Sequence, residues 1–317
     1  MPNPHLTRRQ LIAGMGVAAS SLGLPANAQV SASDSGDSIS LSFSTYGLPE
    51  HPLPQAIDAV ADAGYDGIEI CVAPNCNTAT ATLNPQQRRR ARQQLKERGL
   101  TVTSLMAHLQ PFGSSEQHQR DLERLKADCE LACEISPGDP PVIQTVLGGK
   151  SWNETRGKCR DRLADWVKVA AEHGVVIALK PHRGHAMSRP SEAVWVIEQL
   201  GTPKSLRMWY DYSHFLFRDM TLPQTINDSL PILAGVAVKD AIQEGNKVRF
   251  LLPGTAGTID YKRLCSLLYD GGFRGSICIE VSSQVWKQPG YDPTRALKQS
   301  YRILSSSMAA ARIPRPA

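Results

Sequence analysis

Val175-Val176-Ile177-Ala178-Leu179-Lys180-Pro181-His182 is an apolar run without alternation that ends in two ionisable side chains. A strand that is apolar on both faces is buried on both, as in a parallel sheet covered by helices. Ser276-Ile277-Cys278-Ile279-Glu280 has the same form, apolar and then acidic. Outward from these two stretches, short β-branched runs alternate with longer segments of helical period, which predicts repeated βα units. Strands are expected at 41–46, 67–71, 101–108, 142–147, 175–182, 206–212, 235–239 and 276–281.

The intervening helices carry their own punctuation. Asn84-Pro85 supplies a cap and a first-turn proline, and Gly99 follows the last turn of that helix. Gly64, Gly174, Gly201 and Gly271 each stop a helix just before a strand. Ala63-Gly64-Tyr65-Asp66-Gly67-Ile68-Glu69 and Gly271-Gly272-Phe273-Arg274-Gly275-Ser276-Ile277-Cys278-Ile279-Glu280 share a layout of glycine stop, aromatic, turn glycine and strand ending near a glutamate. Eight such units fill an α/β fold of the single (β/α)8 TIM barrel type. An open doubly wound sheet is the lesser alternative, because the first strand is not followed by a glycine-rich phosphate loop.

Thr7-Arg8-Arg9-Gln10-Leu11 opens an apolar stretch that ends near Ala26-Asn27-Ala28. Paired arginines, a short uncharged core and an Ala-x-Ala site form a twin-arginine export signal. The expected organisation is a signal peptide over 1–28, a flexible Ser/Asp/Gly tether over 29–39 and the barrel over 40–312. The partner implied is the twin-arginine export machinery, the address periplasmic or otherwise exported, and the mature form free of the membrane. The formal charge of +5 falls to about +3 without the leader, and the basic residues are scattered. Arg88-Arg89-Arg90 reads as a solvated helix face, so no nucleic-acid partner is expected. Seven cysteines form no dense framework; Cys71 and Cys76 are placed to pair across a loop, and Cys129 and Cys133 to pack.

Barrel chemistry sits at the C-terminal ends of the strands. There the sequence places His108, Lys180 with His182, Asp211 with Ser213 and His214, Lys239 with Asp240, and Glu280. Residues two apart on a strand share a side, so Lys180 and His182 both face the mouth, as do Ala237 and Lys239. Charge gathered at successive strand ends has no structural reason to be there and points to a site. His182 has an alternative reading as a partner of Asp211, and His214 as an exposed loop residue.

Tyr210-Asp211-Tyr212-Ser213-His214 resembles the Asp-x-x-His that ends the sixth strand of the xylose-isomerase-like sugar isomerases and epimerases. Val238-Lys239-Asp240 resembles the end of that family's strand-seven His-x-Lys-Asp, Leu252 to Tyr261 the loop before its last helix pair, and Ile279-Glu280 its closing glutamate. The likeness runs from about Ser42 to Leu304. It implies one divalent metal held by a Glu, an Asp, a His and a Glu on strands five to eight. Asp211 and Glu280 match, but Lys180 stands at the position of the first Glu and Ala237 at that of the His. A lysine repels a divalent cation and a methyl group cannot ligate one, so a Mn, Zn or Mg ion would need Asp211, Glu280, His182 and His214 as its ligands.

The resemblance implies proton transfer next to the carbonyl of a sugar or keto-sugar, with Lys180, Glu280, His182 and Asp211 catalytic and His108, His214, Lys239 and Trp286 binding a small-molecule carbohydrate. Lys180, near Lys239 and apolar walls, is expected to have a lowered pKa and to serve as base or, charged, in place of the metal. Two other readings remain: a Schiff-base lyase or aldolase on Lys180, and a non-catalytic carbohydrate-binding barrel using Trp209 and Trp286. Trp286 and Tyr291 are expected to form a lid or interface, or else to pack on the final helix.

Overall fold

The computed structural model describes residues 36–316; the export signal expected over 1–28, and the tether up to residue 35, lie outside the described residues. The eight parallel strands close into a barrel in the order β1 (Ser40–Ser44), β10 (Ser276–Ile279), β7 (Leu233–Val238), β6 (Leu206–Tyr210), β5 (Ile177–Leu179), β4 (Val142–Thr145), β3 (Thr101–Met106) and β2 (Gly67–Cys71). The open-sheet alternative is excluded by that closure. Apart from β10, which follows β7 after a hairpin, chain order and spatial order agree. Among the described residues no helix is long and apolar enough to cross a membrane.

The barrel starts slightly before residue 40. Ile39 is buried and its N–H donates to Pro314 O (3.0 Å), while Asp37 accepts from Tyr269 Oη (2.6 Å) and Arg274 Nε (2.8 Å). At the other end Arg315 grips Asp66 through two nitrogens (2.7 and 2.8 Å), so both ends of the described segment fasten to the floor of the barrel.

Helix formation follows the punctuation. In α2 (Pro85–Glu97) Asn84 Oδ1 accepts from Gln87 N and Gln87 Oε1 from Asn84 N, both at 2.9 Å, a reciprocal cap that satisfies two donors otherwise orphaned. Arg89 and Arg90 are exposed, as expected of a solvated face, whereas Arg88 is half-buried, pairing with Glu134 (3.3 Å) and donating from Nε to Leu83 O (2.8 Å).

Most strands end before the predicted point: β3 stops at Met106, β5 at Leu179 and β6 at Tyr210. The extended course persists a little further, since Lys180 N still donates to Thr145 O (2.8 Å). His108 then turns away at φ +53. A two-stranded hairpin, β8 (Asp240–Glu244) and β9 (Lys247–Leu251), also interrupts the expected loop after β7. Its signal is the Gly245-Asn246 pair between the strands, with Gly245 at φ +58, a two-residue hairpin turn.

Around the barrel axis the interior divides in two. Ser42, Ser104 and Gln144 make a polar side with Glu69, which accepts from Ser104 Oγ (2.7 Å) and Gln144 Nε2 (3.1 Å). Trp209 fills the other side, clustered with Ala178, Ala237 and Cys278. Gly235 is required beside it, because a Cβ there would come within 2.1 Å of the indole ring.

Outside the barrel, Asp128 of α3 (Ser115–Ile135) is fully buried, accepts from Thr80 Oγ1 and leaves Oδ2 without a partner. Burial pushes its carboxyl up to about 7. A folded-state pKa above the unfolded value keeps a proton that the unfolded chain releases, so its stability is full below about 4 and lost as pH rises through 7. Asp128→Asn removes that loss. Its melting temperature should match the parent near pH 4 and exceed it by pH 8, a difference on the order of a few kcal/mol. Equal pH slopes for parent and variant in calorimetry would contradict this.

Candidate active site

Three of the rim positions converge through β-strand periodicity. Trp209 and Asp211, Ala237 and Lys239, and Cys278 and Glu280 are pairs two residues apart, the first of each in the interior cluster and the second at the mouth. Lys180 follows Ala178 in the same way. Lys239 Nζ donates to Asp211 Oδ2 and to Glu280 Oε1 (2.8 Å), and Lys180 Nζ donates to Glu280 Oε2. These four side chains are between 0 and 9 % exposed. Two ammoniums against two carboxylates leave the cluster near neutral, the condition for burying it.

The ionic partners decide the protonation states. Burial alone would raise Glu280, but the Lys180 and Lys239 ammoniums outweigh it and hold the carboxyl well below the usual range. Burial alone would lower Lys239; Asp211 and Glu280 outweigh it and raise the ammonium. Lys239, the second cation that the sequence reading set beside Lys180, has two carboxylates at contact, which that reading did not weigh. Asp211 Oδ1 also accepts from Ser213 N (3.1 Å) and Oγ (2.6 Å), which fixes its orientation.

His182 and His214 stand beside this cluster in ring-to-ring contact, tilted by 44°. Their ring centroids are 3.9 Å apart, and His185 stacks on the other side of His182 at 4.1 Å. Burial, with neighbouring cations adding to it, pushes His182 down to about 3 and His214 well below its ordinary value. His214 Nε2 lies 3.4 Å from Asp211 Oδ2 without hydrogen-bond alignment, and as a neutral ring it forms no ion pair. His214 is fully buried, so the exposed-loop reading fails; Asp211 takes Lys239 and Ser213 as partners, and His182 is not among its hydrogen bonds. The hairpin closes this side, with Phe250 edge-on to His214 at 5.0 Å and its ring centroid 5.2 Å from Lys239 Nζ.

A divalent cation does not fit these residues. The carboxylate oxygens that would coordinate it are taken by ammonium groups, the His182 and His214 rings lie against each other, and Ala237 packs against the Trp209 cluster. Among the described residues no group of three or more His, Cys, Asp or Glu side chains is arranged to hold a metal ion.

Two of the predicted binding residues lie on the far side of the mouth. His108 packs edge-on to Tyr46 (5.9 Å), and Trp286, in the short helix α8 (Ser283–Trp286), packs edge-on to Tyr46 at 5.6 Å. Asp240 faces the loop beyond the hairpin, accepting from Tyr261 Oη (2.6 Å) and the N–H groups of Ala256 and Gly257. Trp209 lies in the barrel interior at 1 % exposure, where it cannot hold a sugar as the binding-barrel reading required.

Glu69 is the residue that sequence reasoning passed over. It is buried among Ser104 and Gln144, and burial raises its carboxyl, with Lys180 partly opposing the shift. The signal was present in the repeat, where Ile68-Glu69 and Ile279-Glu280 occupy the same position. Register agrees: β1 pairs with both strands, Ser44 opposite Glu69 and Phe43 opposite Ile279.

A family model described as xylose isomerase-like TIM barrel matches residues 57–306. The L-ribulose-5-phosphate 3-epimerase UlaE of Escherichia coli is 24 % identical over 282 residues, covering 84 % of this chain and 95 % of that protein. The fold is also that of the 3-keto-D-glucoside 4-epimerase YcjR from E. coli, with a TM-score of 0.67 at 18 % identity, covering 84 % of this chain and 99 % of the other. The IOLI protein, solved with a bound zinc atom, superposes with a TM-score of 0.69 at 15 % identity, covering 86 % and 98 %. The match spans most of the chain and takes in seven of the eight barrel strands, and this protein belongs to the xylose isomerase-like TIM barrel family.

Proposed function

We propose that this chain is an isomerase or epimerase that moves a proton next to the carbonyl of a sugar or keto-sugar without a divalent metal. The observation that carries the reading is the Lys239 ammonium bridging Asp211 and Glu280, with Lys180 on the other oxygen of Glu280. Two buried positive charges stand where an electrophile must be, and fixed charge in a dry site stabilises a developing enediolate. The sugar's carbonyl oxygen takes the Lys180 and Lys239 ammoniums, which loosens their hold on Glu280. Glu280 then accepts the α-proton.

Glu69 and Glu280 have environments that push their carboxyls in opposite directions, the mark of a divided acid and base role. Glu69 is the group that holds a proton for return to the intermediate. The epimerase activities of the relatives support this reaction class. An exported location is part of the proposal: the Cys71–Cys76 disulfide is chemistry of an oxidising compartment and supports the twin-arginine reading of the leader.

The test is deuterium exchange from heavy water into keto-sugars and keto-glycosides, followed by NMR, before and after exhaustive chelation. Exchange is expected at the carbon beside the carbonyl and at an unchanged rate after chelation. Loss on chelation with recovery on adding Mn or Zn would sink the ammonium mechanism. A borohydride-trapped adduct on Lys180 would move the protein to the Schiff-base reading.

A further inference from the structure

The ion cluster occupies only part of the barrel mouth. A cavity of about 500 Å³ lies over the opposite arc, walled by the segments that follow β1, β2 and β3 and by Trp286. Lys180, Asp211, Lys239 and Glu280 do not line it; they belong to the contiguous arc of β5, β6, β7 and β10. His108 joins the two compartments, because it lines the cavity and its imidazole feels the charges of both Lys180 and Glu280. A cavity of this size encloses a whole small-molecule ligand, for which the range is roughly 300–1,000 Å³.

The walls are suited to an uncharged polyhydroxylated group. Tyr46 and Trp286 supply aromatic surface. Four wall residues have buried polar atoms without a partner: Trp286 Nε1, His51 Nδ1, Arg124 Nε and Asp121 Oδ2, the last on a residue only 2 % exposed. Positive charge at the walls is partly engaged. Arg124 lies 3.6 Å from Asp121 and donates to the carbonyls of Ala107 and His108, and Lys287 lies over the Trp286 ring at 5.3 Å. A phosphate would find Asp121 as an acidic neighbour and an Arg124 whose Nη1 and Nη2 are turned to Asp121 and to backbone carbonyls, which leaves Nε and not a bidentate fork.

We propose that this cavity is a second subsite, which takes an uncharged sugar unit joined by a glycosidic bond to the sugar that reacts over the ion cluster. The substrate class is then a glycoside of at least two units, not a phosphorylated monosaccharide. This rests on the proposed function for the position of the reacting sugar, and its test reads binding rather than turnover.

Calorimetric titration of the intact protein would compare D-glucose, glucose 6-phosphate, trehalose, maltose, cellobiose and sophorose. At least one disaccharide should bind tenfold or more tightly than glucose. Asn75→Trp, placed on the exposed wall loop to fill the cavity, should abolish that gain and leave glucose affinity within twofold. Asp121→Asn should reduce the gain several-fold. The proposal is overturned if no disaccharide exceeds glucose, if the gain survives both substitutions, or if glucose 6-phosphate binds most tightly. Absence of deuterium exchange would count against the proposed function alone, since the disaccharide preference is read independently of turnover.

Discussion

Lys239→Met is expected to lower kcat/KM by about 10²–10³-fold, the effect of removing one preorganised charge aimed at a developing oxyanion. Its ammonium is the only donor that touches both Asp211 and Glu280 among the described residues. Methionine keeps the length and removes the charge, leaving Asp211 without its ammonium partner and Glu280 with Lys180 alone. Breaking a buried pair in this way costs about 3–5 kcal/mol because a charge is left uncompensated. Urea unfolding should record that loss, and steady-state kinetics on the folded variant should place the catalytic loss in kcat. A variant with parental turnover would remove the ammonium from the mechanism. Lys239→Arg is not expected to rescue, since a planar fork does not reproduce a point charge in a closed site.

Glu280→Gln should be the more severe change, lowering kcat by about 10²–10⁴-fold through loss of the group that accepts the proton. Substrate affinity should change less, because the ammoniums that hold the carbonyl remain. The pH profile separates this base from a lysine. Glu280 is held below the ordinary carboxylate range, so its ionised, accepting form persists as pH falls through that range. The acid limb of kcat/KM that belongs to Glu280 should therefore lie below the usual carboxylate value. A lysine base would instead give a rate that climbs into the alkaline range. Glu69→Gln supplies the comparison: its carboxyl is raised by burial, so substitution relieves desolvation and is expected to slow turnover without loss of stability. An unchanged kcat in Glu280→Gln, or an alkaline-rising profile in the parent, would assign the base elsewhere.

The fold was legible because it depends on short-range pattern. Val175 to Leu179 and Ile277 to Ile279 are apolar throughout, and Asn84-Pro85 and Gly99 bound a helix by local geometry alone. Period two also located Lys180, Asp211, Lys239 and Glu280 at the mouth before any coordinates. Strand ends were less accurate: His108 leaves the extended course at a positive φ, and Leu109 N donates to the Thr145 hydroxyl and not to a strand carbonyl. The Gly245-Asn246 hairpin was readable but was passed over between strand seven and the Leu252 to Tyr261 loop recognised by likeness.

By itself the sequence determined the barrel, the rim positions and the substitution of lysine and alanine at two positions where metal ligands were expected. Only the tertiary structure decided what those substitutions mean. Lys180 meets Glu280 across 100 residues of chain, and Lys239 meets it across 41, while Trp209 takes the space beside Ala237. The sign of each pKa shift follows from those contacts, because Coulomb energy depends on separation in space and on burial, neither of which a linear order of residues contains.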